Sequence, residues 1–592
     1  MALSRLRSTT LLPLLVAPTL LISGCQHLPA QPHLPESQAL TKRVEALYSQ
    51  PESEVATESQ PDTSDTEAEL LAQADAADET AESTSNPVTT TKDTAAIAAA
   101  NSQPSTIAER IQNYDLAASI SEQHKIHPEL SGYYPIVTGA NAFASRSILT
   151  GMAEKNIDVQ YYIWHNDQAG QLMLKDLWDA AERGVMVRLL LDDFNTDAKF
   201  DDHLRRFASH PNISVRIINP LLYRKFQSLN FVTSLPRINR RMHNKSMIFD
   251  KQITIIGGRN IGNEYLSNDQ NSQFADLDVL LIGRVVADIS QSFSHYWNSS
   301  MSYDIETLVK ADKDDTDFLQ SLDKINGDAD SGPRSSLSVY KAAIEDSTID
   351  SDLLNKRVPF RWTDMQFLSD DVGKLSKTAP PNSNLVHQLR TLLGTPTQQL
   401  TIISSYFVPT KDGVGALIQL AEKGIKIRIL TNSFDATDVT AVHSGYSQWR
   451  PALLNAGIKI YELKSTASEE KRENKLWRAR SQSSTSLHAK TFAVDDHQVF
   501  IGSYNVDPRS ANINTEMGVI INDDELAKQL HEALDDDLLD QAYEVTITPA
   551  GQLQWKTLEG GKLVTYDKEP AVDLADQIWL TIMSWLPIDW LL

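Results

Sequence analysis

Cysteine is nearly absent, since Cys25 is the single one among 592 residues. One thiol cannot form an internal disulfide, and it excludes a cysteine-rich zinc or iron–sulfur site. Basic residues are also scarce, 54 against 78 acidic ones, and the formal net charge is −24. Proteins that coat DNA or RNA usually carry the opposite excess, so we expect no nucleic-acid partner. The chain is too long for one ordinary core, which predicts two or more domains.

The N-terminal apolar run, residues 11–21, is too short to span a bilayer. It follows Arg5 and Arg7 and ends at Ile22-Ser23-Gly24-Cys25. This order is typical of a secretory signal and resembles the lipobox of bacterial lipoproteins. We therefore expect residues 1–24 to be removed and Cys25 to be lipidated; the alternative is an ordinary signal peptide with an incidental cysteine. Gln26 resembles the outer-membrane sorting pattern, which predicts a lipid-anchored, periplasm-facing protein of a two-membrane bacterium.

Residues 25–105 are predicted to form an acidic, disordered tether. Between residues 51 and 100 there are twelve acidic residues against one lysine, and no aromatic residue. Such a segment cannot bury enough apolar surface to offset its chain entropy. An acidic partner-binding tail is the alternative.

An internal repeat organises the rest of the chain. Residues 181–188, AERGVMVR, return as residues 421–428, AEKGIKIR, displaced by 240 residues. Each copy ends a helix at a glycine that suits a left-handed cap, and each then enters a β-branched strand. Strands also precede each helix, at residues 157–164 and 400–408. This alternation predicts two α/β halves with mixed, largely parallel sheets.

A second pair of matches carries the chemistry. His243, Lys245 and Asp250 in the first half match His488, Lys490 and Asp495 in the second, both as His-x-Lys-x4-Asp. A glycine turn with an asparagine follows each motif: the first is Gly257-Gly258-Arg259-Asn260 and the second is Gly502-Ser503-Tyr504-Asn505. Two matches in register are not an accident of composition.

Two such units in one cleft would supply two imidazoles, two ammonium groups and two amides. One histidine can attack phosphorus while the other protonates the leaving alkoxide. Lys245, Lys490, Asn260, Asn505 and the Ser503 hydroxyl would stabilise the phosphate oxygens. This scheme needs neither a metal nor another cofactor, and these positions lack the clustered carboxylates of a two-metal site. Asp250 and Asp495 either support the catalytic network or only end their strands through turn hydrogen bonds.

These residues resemble the phospholipase D superfamily with its two HKD motifs, over roughly residues 135–545. Stretches such as residues 257–265, GGRNIGNEY, and residues 438–446, DVTAVHSGY, are similar to the bacterial cardiolipin synthase C branch. The resemblance implies two phospholipase D-like α/β/α domains, packed in pseudo-twofold fashion around one active site. It also implies that His243 forms a phosphohistidine and that His488 is the acid and base, although the symmetry of the motifs leaves that order open.

The resemblance further implies a membrane-associated phosphatidyltransferase acting on phosphatidylglycerol and, as a second lipid, phosphatidylethanolamine. The alternatives are a phospholipase D hydrolase that releases phosphatidic acid, a phosphodiesterase nuclease and an idle lipoprotein scaffold. Two sequence features favour a lipid independently of the resemblance. The C-terminal residues Trp579, Trp585 and Trp590 suit a membrane interface, with a packed terminal helix as the alternative. Basic residues precede both motifs and predict a basic mouth: Arg216, Arg224, Lys225, Arg237, Arg240 and Arg241, then Lys471, Arg472, Lys475, Arg478 and Arg480.

The expected domains are a first phospholipase D-like domain at residues 106–310 and a second at 386–545. A connecting segment, residues 311–385, lies between them and has no counterpart in the other half. Residues 546–592 form a tail that holds the tryptophan-rich end.

Overall fold

In the computed structural model two sheets are packed face to face, each with helices around it. The described residues are 28–29, 32–48, 116–194, 198–224, 228–266, 273–310, 317–321, 340, 342–344, 347, 349, 352, 358–437, 439–465, 485–534 and 538–572. The predicted signal peptide, Cys25 and the C-terminal tryptophans lie outside these residues, as does most of the predicted tether.

The first lobe is built on a nine-stranded sheet with the order β10-β1-β8-β6-β5-β2-β3-β4-β9. Its strands are β1 (Ser131–Ile136), β2 (Asn156–Tyr161), β3 (Met186–Asp192), β4 (Ile213–Ile218), β5 (Ser246–Phe249), β6 (Ile253–Gly257), β7 (Gln273–Ala275, outside the main sheet), β8 (Asp278–Gly283), β9 (Ser302–Asp304) and β10 (Arg361–Thr363). Its helices are α1 (Pro35–Ala46), α2 (Leu116–Ile126), α3 (Gly139–Met152), α4 (Gln168–Glu182), α5 (Ala198–Phe207), α6 (Ser228–Thr233), α7 (Leu235–Ile238), α8 (Asn263–Leu266), α9 (Val285–Trp297) and α10 (Ile305–Leu308).

The second lobe is built on a ten-stranded sheet with the order β11-β18-β17-β16-β12-β13-β14-β19-β20-β21. Its strands are β11 (Met365–Ser369), β12 (Gln399–Ser404), β13 (Lys426–Asn432), β14 (Lys459–Leu463), β15 (Thr485–Leu487, outside the main sheet), β16 (Lys490–Val494), β17 (Gln498–Gly502), β18 (Met517–Asn522), β19 (Ala542–Ile547), β20 (Leu553–Glu559) and β21 (Lys562–Tyr566). Its helices are α11 (Leu385–Leu393), α12 (Thr410–Glu422), α13 (Thr440–Ser447), α14 (Arg450–Asn455), α15 (Pro508–Asn512) and α16 (Asp524–Glu532), with 3-10 turns at Val372–Leu375 and Leu538–Asp540.

The predicted mixed α/β halves are confirmed, but the sheets are not largely parallel. Within the described strands, the parallel pairs of the two main sheets are β2–β3 and β3–β4 in the first and β12–β13 and β13–β14 in the second. The motif strands β5 and β16 enter antiparallel to β2 and β12. The helical crossovers that the repeat predicts account only for the parallel strands, whereas the motifs lie on hairpins.

The repeated glycines end their helices as predicted. Gly184 has a φ of 99° and Gly424 a φ of 88°, both in the left-handed region. Gly184 N donates to Ala181 O at 2.9 Å, and Gly424 N donates to Ala421 O at the same distance. These paired caps turn the chain from α4 into β3 and from α12 into β13.

Strand alternation places one apolar face of each sheet against the other lobe. In β8, Val279 and Leu281 join a buried cluster that also holds Val519 and Ile521 of β18. Ile520, on the opposite face of β18, packs in a separate cluster of the second lobe. The period of two in these strands therefore explains why the lobes associate through an apolar core.

The predicted boundaries differ from the strand pairing at two places. Residues 361–369, inside the predicted connecting segment, form β10 of the first sheet and β11 of the second. Residues 553–566, inside the predicted tail, form β20 and β21, which continue the second sheet beyond residue 545. Both segments belong to the folded body because they satisfy their main-chain groups in its sheets.

Helix α1 corrects part of the predicted tether, because residues 35–46 pack on the first lobe. Leu40 and Val44 are buried against Met186. Thr41 accepts a hydrogen bond from Trp297 Nε1 at 2.8 Å. The acidic composition that predicts disorder begins only after this helix.

We predict that Leu40→Ala weakens the attachment of α1 by about 2–5 kcal/mol, because the substitution leaves a cavity at a buried position. Trypsin should then cleave faster after Lys42 and Arg43. The matched control on the same segment is Leu47→Ala, since Leu47 is 43% exposed. Equal cleavage rates in the two variants would contradict the packing of α1.

Candidate active site

The two motif histidines lie where the lobes meet, each next to a short contact between the lobes. His243 N donates to Thr515 O at 2.9 Å, beside a parallel bridge between Met242 and Thr515. His488 follows β15, which pairs in parallel with β7 of the first lobe, and its N donates to Ala275 O at 2.8 Å. Both histidines are 8% exposed. The predicted pairing of the two motifs in one site therefore depends on contacts that neither motif contains.

Each imidazole is oriented by a carboxylate from the opposite lobe. His243 Nδ1 lies 2.8 Å from Glu516 Oε2, and His488 Nδ1 lies 2.6 Å from Asp276 Oδ2. Both carboxylate side chains are fully buried. With Nδ1 held by an acceptor, Nε2 of each ring is the nitrogen left for chemistry.

Glu516 and Asp276 are the functional residues that the sequence reasoning missed. Each comes shortly before a buried strand, β18 or β8, that lies at the lobe interface. Asp276 follows its histidine motif by 33 residues and Glu516 by 28, counted from His243 and His488. In both halves a carboxylate stands just before the strand that follows the glycine turn. This shared position is the one sequence signal that could have identified them.

The motif lysines are buried beside their histidines. Lys245 Nζ donates to His243 O at 2.7 Å, and Lys490 Nζ donates to His488 O and, at 3.2 Å, to Ser405 Oγ. Both ammonium groups lower the pKa of both histidines, so the four side chains share one electrostatic site. Burial, with the charge of Lys490, lowers the pKa of Lys245 to about 7.

Aromatic rings cover both imidazoles on one side. Tyr162 meets His243 edge to face at a centroid distance of 4.9 Å, and Tyr265 meets His488 in the same way at 5.2 Å. The pKa of His243 is well below its ordinary value because of burial and because of the nearby lysines. Burial and Lys490 lower the pKa of His488 to about 4. Both rings are therefore neutral near pH 7 in the free protein, as a nucleophile must be.

The glycine turns contribute differently from what we expected. Asn260 Oδ1 accepts from Ile163 N at 3.3 Å, and its buried Nδ2 has no hydrogen-bond partner among the described residues. That amide can donate to a phosphate oxygen. Asn505 Oδ1 accepts from Ser405 Oγ at 2.9 Å, which links its turn to Lys490.

Ser503 is not placed as a phosphate ligand, which corrects the prediction. Its Oγ donates to Glu516 Oε2 at 2.5 Å and accepts from Met517 N at 3.0 Å. The hydroxyl proton is therefore used to hold the carboxylate that orients His243. At the equivalent position, a Cβ on Gly258 would lie 2.2 Å from Asp276 Oδ1. The first half has no room for a serine there, and the two half-sites differ for a steric reason.

Asp250 and Asp495 lie outside the catalytic cluster, which corrects their assignment as catalytic residues. Asp250 accepts from the main-chain N of Glu154, Lys155 and Asn156 at 2.7–2.9 Å. Asp495 accepts in the same way from the N of residues 397–399 at 2.7–3.1 Å. Each sits at the end of β5 or β16 away from its histidine, with a φ near 50°. Both aspartates therefore end their strands through turn hydrogen bonds, which is the second of the two roles left open by the sequence.

The predicted basic mouth is also wrong for the described arginines before the first motif. Arg216, Arg224 and Arg241 are held by carboxylates: Arg216 pairs with Asp304 at 2.9 Å, Arg224 with Asp193 at 2.6 Å and Arg241 with Asp192 at 3.1 Å. Arg237 donates to Asn219 Oδ1 and Arg240 to Lys374 O. The first three charges are therefore part of the scaffold, and the other two arginines are held by neutral oxygens. Lys225 and residues 471–480 lie outside the described residues.

The two histidine–carboxylate pairs differ in charge. Burial raises the pKa of Glu516 to about 7, although Lys245 opposes this. Burial also acts to raise the pKa of Asp276, but His488 and Lys490 outweigh it and lower that pKa to about 2. Asp276 is thus ionised at pH 7, while Glu516 is close to its titration midpoint.

The described residues contain no group of three or more His, Cys, Asp or Glu side chains placed to hold a metal ion. They also contain no helix that is both long and apolar enough to cross a membrane.

Comparison with known proteins identifies the family. The family described as "Cardiolipin synthase, PLD-like domain" matches twice, at residues 149–297 and 389–538. The chain is 39% identical to cardiolipin synthase C of Escherichia coli K12 over 477 residues, which cover 81% of this chain and 99% of the relative. It is also 32% identical over 464 residues to an uncharacterized protein of Helicobacter pylori strain 26695, covering 76% and 87% of the two chains.

The fold and the paired motifs define a phospholipase D-like protein with two repeated domains. The chain belongs to the cardiolipin synthase family of these proteins and is an enzyme of the phospholipase D phosphatidyltransferase type. Among solved structures, the phosphatidylserine synthase of Haemophilus influenzae Rd KW20 aligns with 72% of this chain and 92% of its own, at 15% identity and a TM-score of 0.48.

We predict that Asp250→Ala costs stability and leaves the chemistry intact. Removing the carboxylate leaves three main-chain N–H groups without their acceptor, so the free energy of unfolding in urea should fall by about 2–4 kcal/mol. Asp276→Asn should instead change the free energy of unfolding only slightly and cause a large loss of turnover. Lost turnover in a fully stable Asp250→Ala protein would restore the catalytic assignment.

Proposed function

We propose that this protein transfers a phosphatidyl group between phospholipids through a covalent phosphohistidine, with cardiolipin as the product. The observation that carries the proposal is the pair of buried imidazoles, each with its Nδ1 held by a carboxylate of the other lobe. Two lysines beside them match the charge of a phosphodiester. The cardiolipin synthase relatives support phospholipids as the substrates.

In the first step, His243 Nε2 donates its lone pair to the phosphorus of the donor lipid. The bond between phosphorus and the departing alcohol oxygen breaks, and His488 supplies the proton that this oxygen needs. Lys245, Lys490 and the Asn260 amide stabilise the charge on the non-bridging oxygens. The product of this half-reaction is phosphatidyl-His243 and a free alcohol.

In the second step, the hydroxyl of an acceptor lipid attacks the phosphohistidine. His488, now neutral, takes the hydroxyl proton while the bond between phosphorus and His243 Nε2 breaks. With phosphatidylglycerol as the acceptor the product is cardiolipin. With water as the acceptor the same site would release phosphatidic acid, so exclusion of water decides between a synthase and a hydrolase.

The charge difference between the two pairs supports the order of the two histidines. Burial and Lys490 lower the pKa of His488, but ionised Asp276 opposes them, so a proton that His488 takes up when the phosphate anion binds is stabilised by its carboxylate partner. His243 lies beside three cationic groups, Lys245, Lys490 and Arg509, which favour its neutral form. Because the fully ionised carboxylate stabilises a proton on His488, the acid role suits His488 and the role of nucleophile suits His243 in this proposal.

We further propose that the enzyme works at a membrane surface, tethered through lipidated Cys25 in the outer membrane of the cell envelope. The lipobox-like sequence and Gln26 support the anchor. The tryptophans of residues 579–590 support a second contact with the lipid headgroups.

The test of the reaction uses vesicles of phosphatidylglycerol, with and without phosphatidylethanolamine, in which the phosphate of one lipid carries a radiolabel. The wild-type protein should make cardiolipin and retain label on His243 after acid-free quenching. His488→Ala should form the phosphoenzyme slowly and release it slowly, with turnover reduced by about 100-fold or more.

His243→Ala should form no phosphoenzyme, because the nucleophile is gone. Label retained in that variant and lost in His488→Ala would reverse the order of the two histidines. Phosphatidic acid as the main product would show that the protein is a phospholipase D hydrolase and not a synthase. Full activity in a protein that carries both His243→Ala and His488→Ala would show that this site is not the active site.

We predict that kcat/KM has a maximum near pH 7. Below this pH Glu516 takes up a proton and no longer stabilises the positive charge that develops on His243. Above this pH Lys245 loses its proton, and the phosphate loses a cation. The acid limb of the profile follows from the raised pKa of Glu516 and the basic limb from the lowered pKa of Lys245, both about 7.

The matched variants are Glu516→Gln, which cannot titrate, and Glu525→Gln on the exposed face of α16. Glu516→Gln should lower kcat/KM and lose the acid limb of the profile, while Glu525→Gln should match the wild type. An unchanged acid limb in Glu516→Gln would show that another group controls it.

A further inference from the structure

The connecting segment between the lobes forms hydrogen bonds with Glu516, the residue that orients His243. After β11, Asp370 N donates to Glu516 O at 2.9 Å, and Glu516 N donates back to Asp370 Oδ2 at 2.8 Å. Asp370 and Glu516 are 1% and 0% exposed. The main chain on both sides of the Glu516 side chain is therefore fixed by a single residue of the connecting segment.

Lys374, one helical turn further on, completes this arrangement. Its Nζ donates to Asp370 Oδ2 at 2.9 Å and to Ser510 O at 3.0 Å. Ser510 belongs to α15, which directly follows the turn that holds Asn505. Lys374 O in turn accepts from Arg240 Nη1 at 2.8 Å. One buried ion pair thus joins β18, the second glycine turn and the chain just before the first motif.

We propose that Asp370 and Lys374, which we call the clasp, are positioning residues that hold Glu516 in place for His243. This inference rests on the proposed function for the role of His243 as nucleophile. The side-chain hydrogen bonds of the clasp go to Glu516, Ser510 and Leu385 and not to His243, so the clasp acts through Glu516. It gives the connecting segment a role in the chemistry of one half-site.

The other half-site has a different support. Arg259 donates through Nη2 to Asp276 O, and it also lies 3.5 Å from Asp278. Arg259 belongs to the glycine turn of the same lobe, so Asp276 is held from within its own repeat. The clasp comes from a segment that has no counterpart in the repeat, and its loss should affect the His243 half-site first.

The clasp also acts on the charge of Glu516. Lys374 lowers the pKa of Glu516, which burial raises. Among the described residues, the charged or titratable groups that face Glu516 are His243, Lys245, Asp370, Lys374, Asp507, Tyr504 and Tyr162. Removing the Lys374 charge leaves Lys245 as the main opposing cation. The carboxylate should then hold its proton to a higher pH.

The test compares Lys374→Met with Lys377→Met, an exposed lysine three residues later on the same segment. Two readouts are used: the rate at which labelled phosphatidylglycerol forms the phosphoenzyme, and the acylation of His243 by diethyl pyrocarbonate against pH, followed by peptide mass spectrometry. Lys374→Met should slow phosphoenzyme formation by about tenfold, because a misplaced nucleophile reacts less often. It should also shift the midpoint of His243 acylation to higher pH, with the KM for lipid nearly unchanged.

Lys377→Met should match the wild type in both readouts. Asp370→Asn, which keeps its shape and loses its charge, should slow phosphoenzyme formation as Lys374→Met does, but it should move the acylation midpoint to lower pH, because it removes a negative charge next to Glu516. The double variant should form the phosphoenzyme no more slowly than either single variant, because the two residues act as a unit. If Lys374→Met fails to fold, Asp370→Asn and Lys374→Arg carry the comparison, with Lys374→Arg retaining the acylation midpoint. An unchanged midpoint in a folded Lys374→Met or Asp370→Asn protein would overturn the clasp.

The acylation readout needs no lipid, so it separates the two proposals. If the wild-type protein forms no phosphoenzyme but the acylation midpoint moves in the clasp variants, the proposed function fails and the positioning role remains. If the phosphoenzyme forms and the clasp variants leave both readouts unchanged, the proposed function stands and the positioning role fails.

Discussion

The contact on which the site depends is the crossed pairing of histidine and carboxylate between the lobes. Each lobe supplies one imidazole and the acceptor for the imidazole of the other. Neither lobe alone therefore contains an oriented histidine, although each carries a full motif. The apolar interface formed by β8, β18 and their helices brings the pairs together, and the short bridges at Thr515 and Ala275 set their register. Catalytic geometry is in this sense a property of lobe packing.

The repeated motif serves two physical purposes at the two ends of one strand. At one end lie the histidine and lysine to which the proposed mechanism assigns the chemistry. At the other end, about 20 Å away if the chain is extended, Asp250 and Asp495 bind the first N–H groups of β2 and β12. A carboxylate that accepts several main-chain donors fixes the strand against its neighbour, and this holds the histidine end in place. The motif is thus a unit of structure as well as of catalysis.

The two half-sites share a design but are not equivalent. Ser503 and the clasp hold Glu516, whereas Asp276 has a glycine at the position equivalent to Ser503 and is kept ionised by His488, Lys490 and Arg259. A carboxylate near its titration midpoint and one that is always charged place different demands on the proton of their imidazoles. This difference breaks a symmetry that the two motifs by themselves preserve, and in the proposed mechanism it favours attack by His243 and proton transfer by His488.

The residue pattern by itself determined the two α/β halves, the glycine caps and the two histidine–lysine pairs, because these depend on local periodicity and on spacing within one motif. It could not find Glu516 and Asp276, since each acts on a histidine more than 200 residues away and stands outside any motif. It misread Ser503 and the arginines before the first motif, and it left the role of Asp250 and Asp495 open, because a hydroxyl, a carboxylate or a guanidinium in a sequence does not show which partner it meets. Only the tertiary structure decided those roles, by bringing distant main-chain donors and buried charges within hydrogen-bond distance of each other.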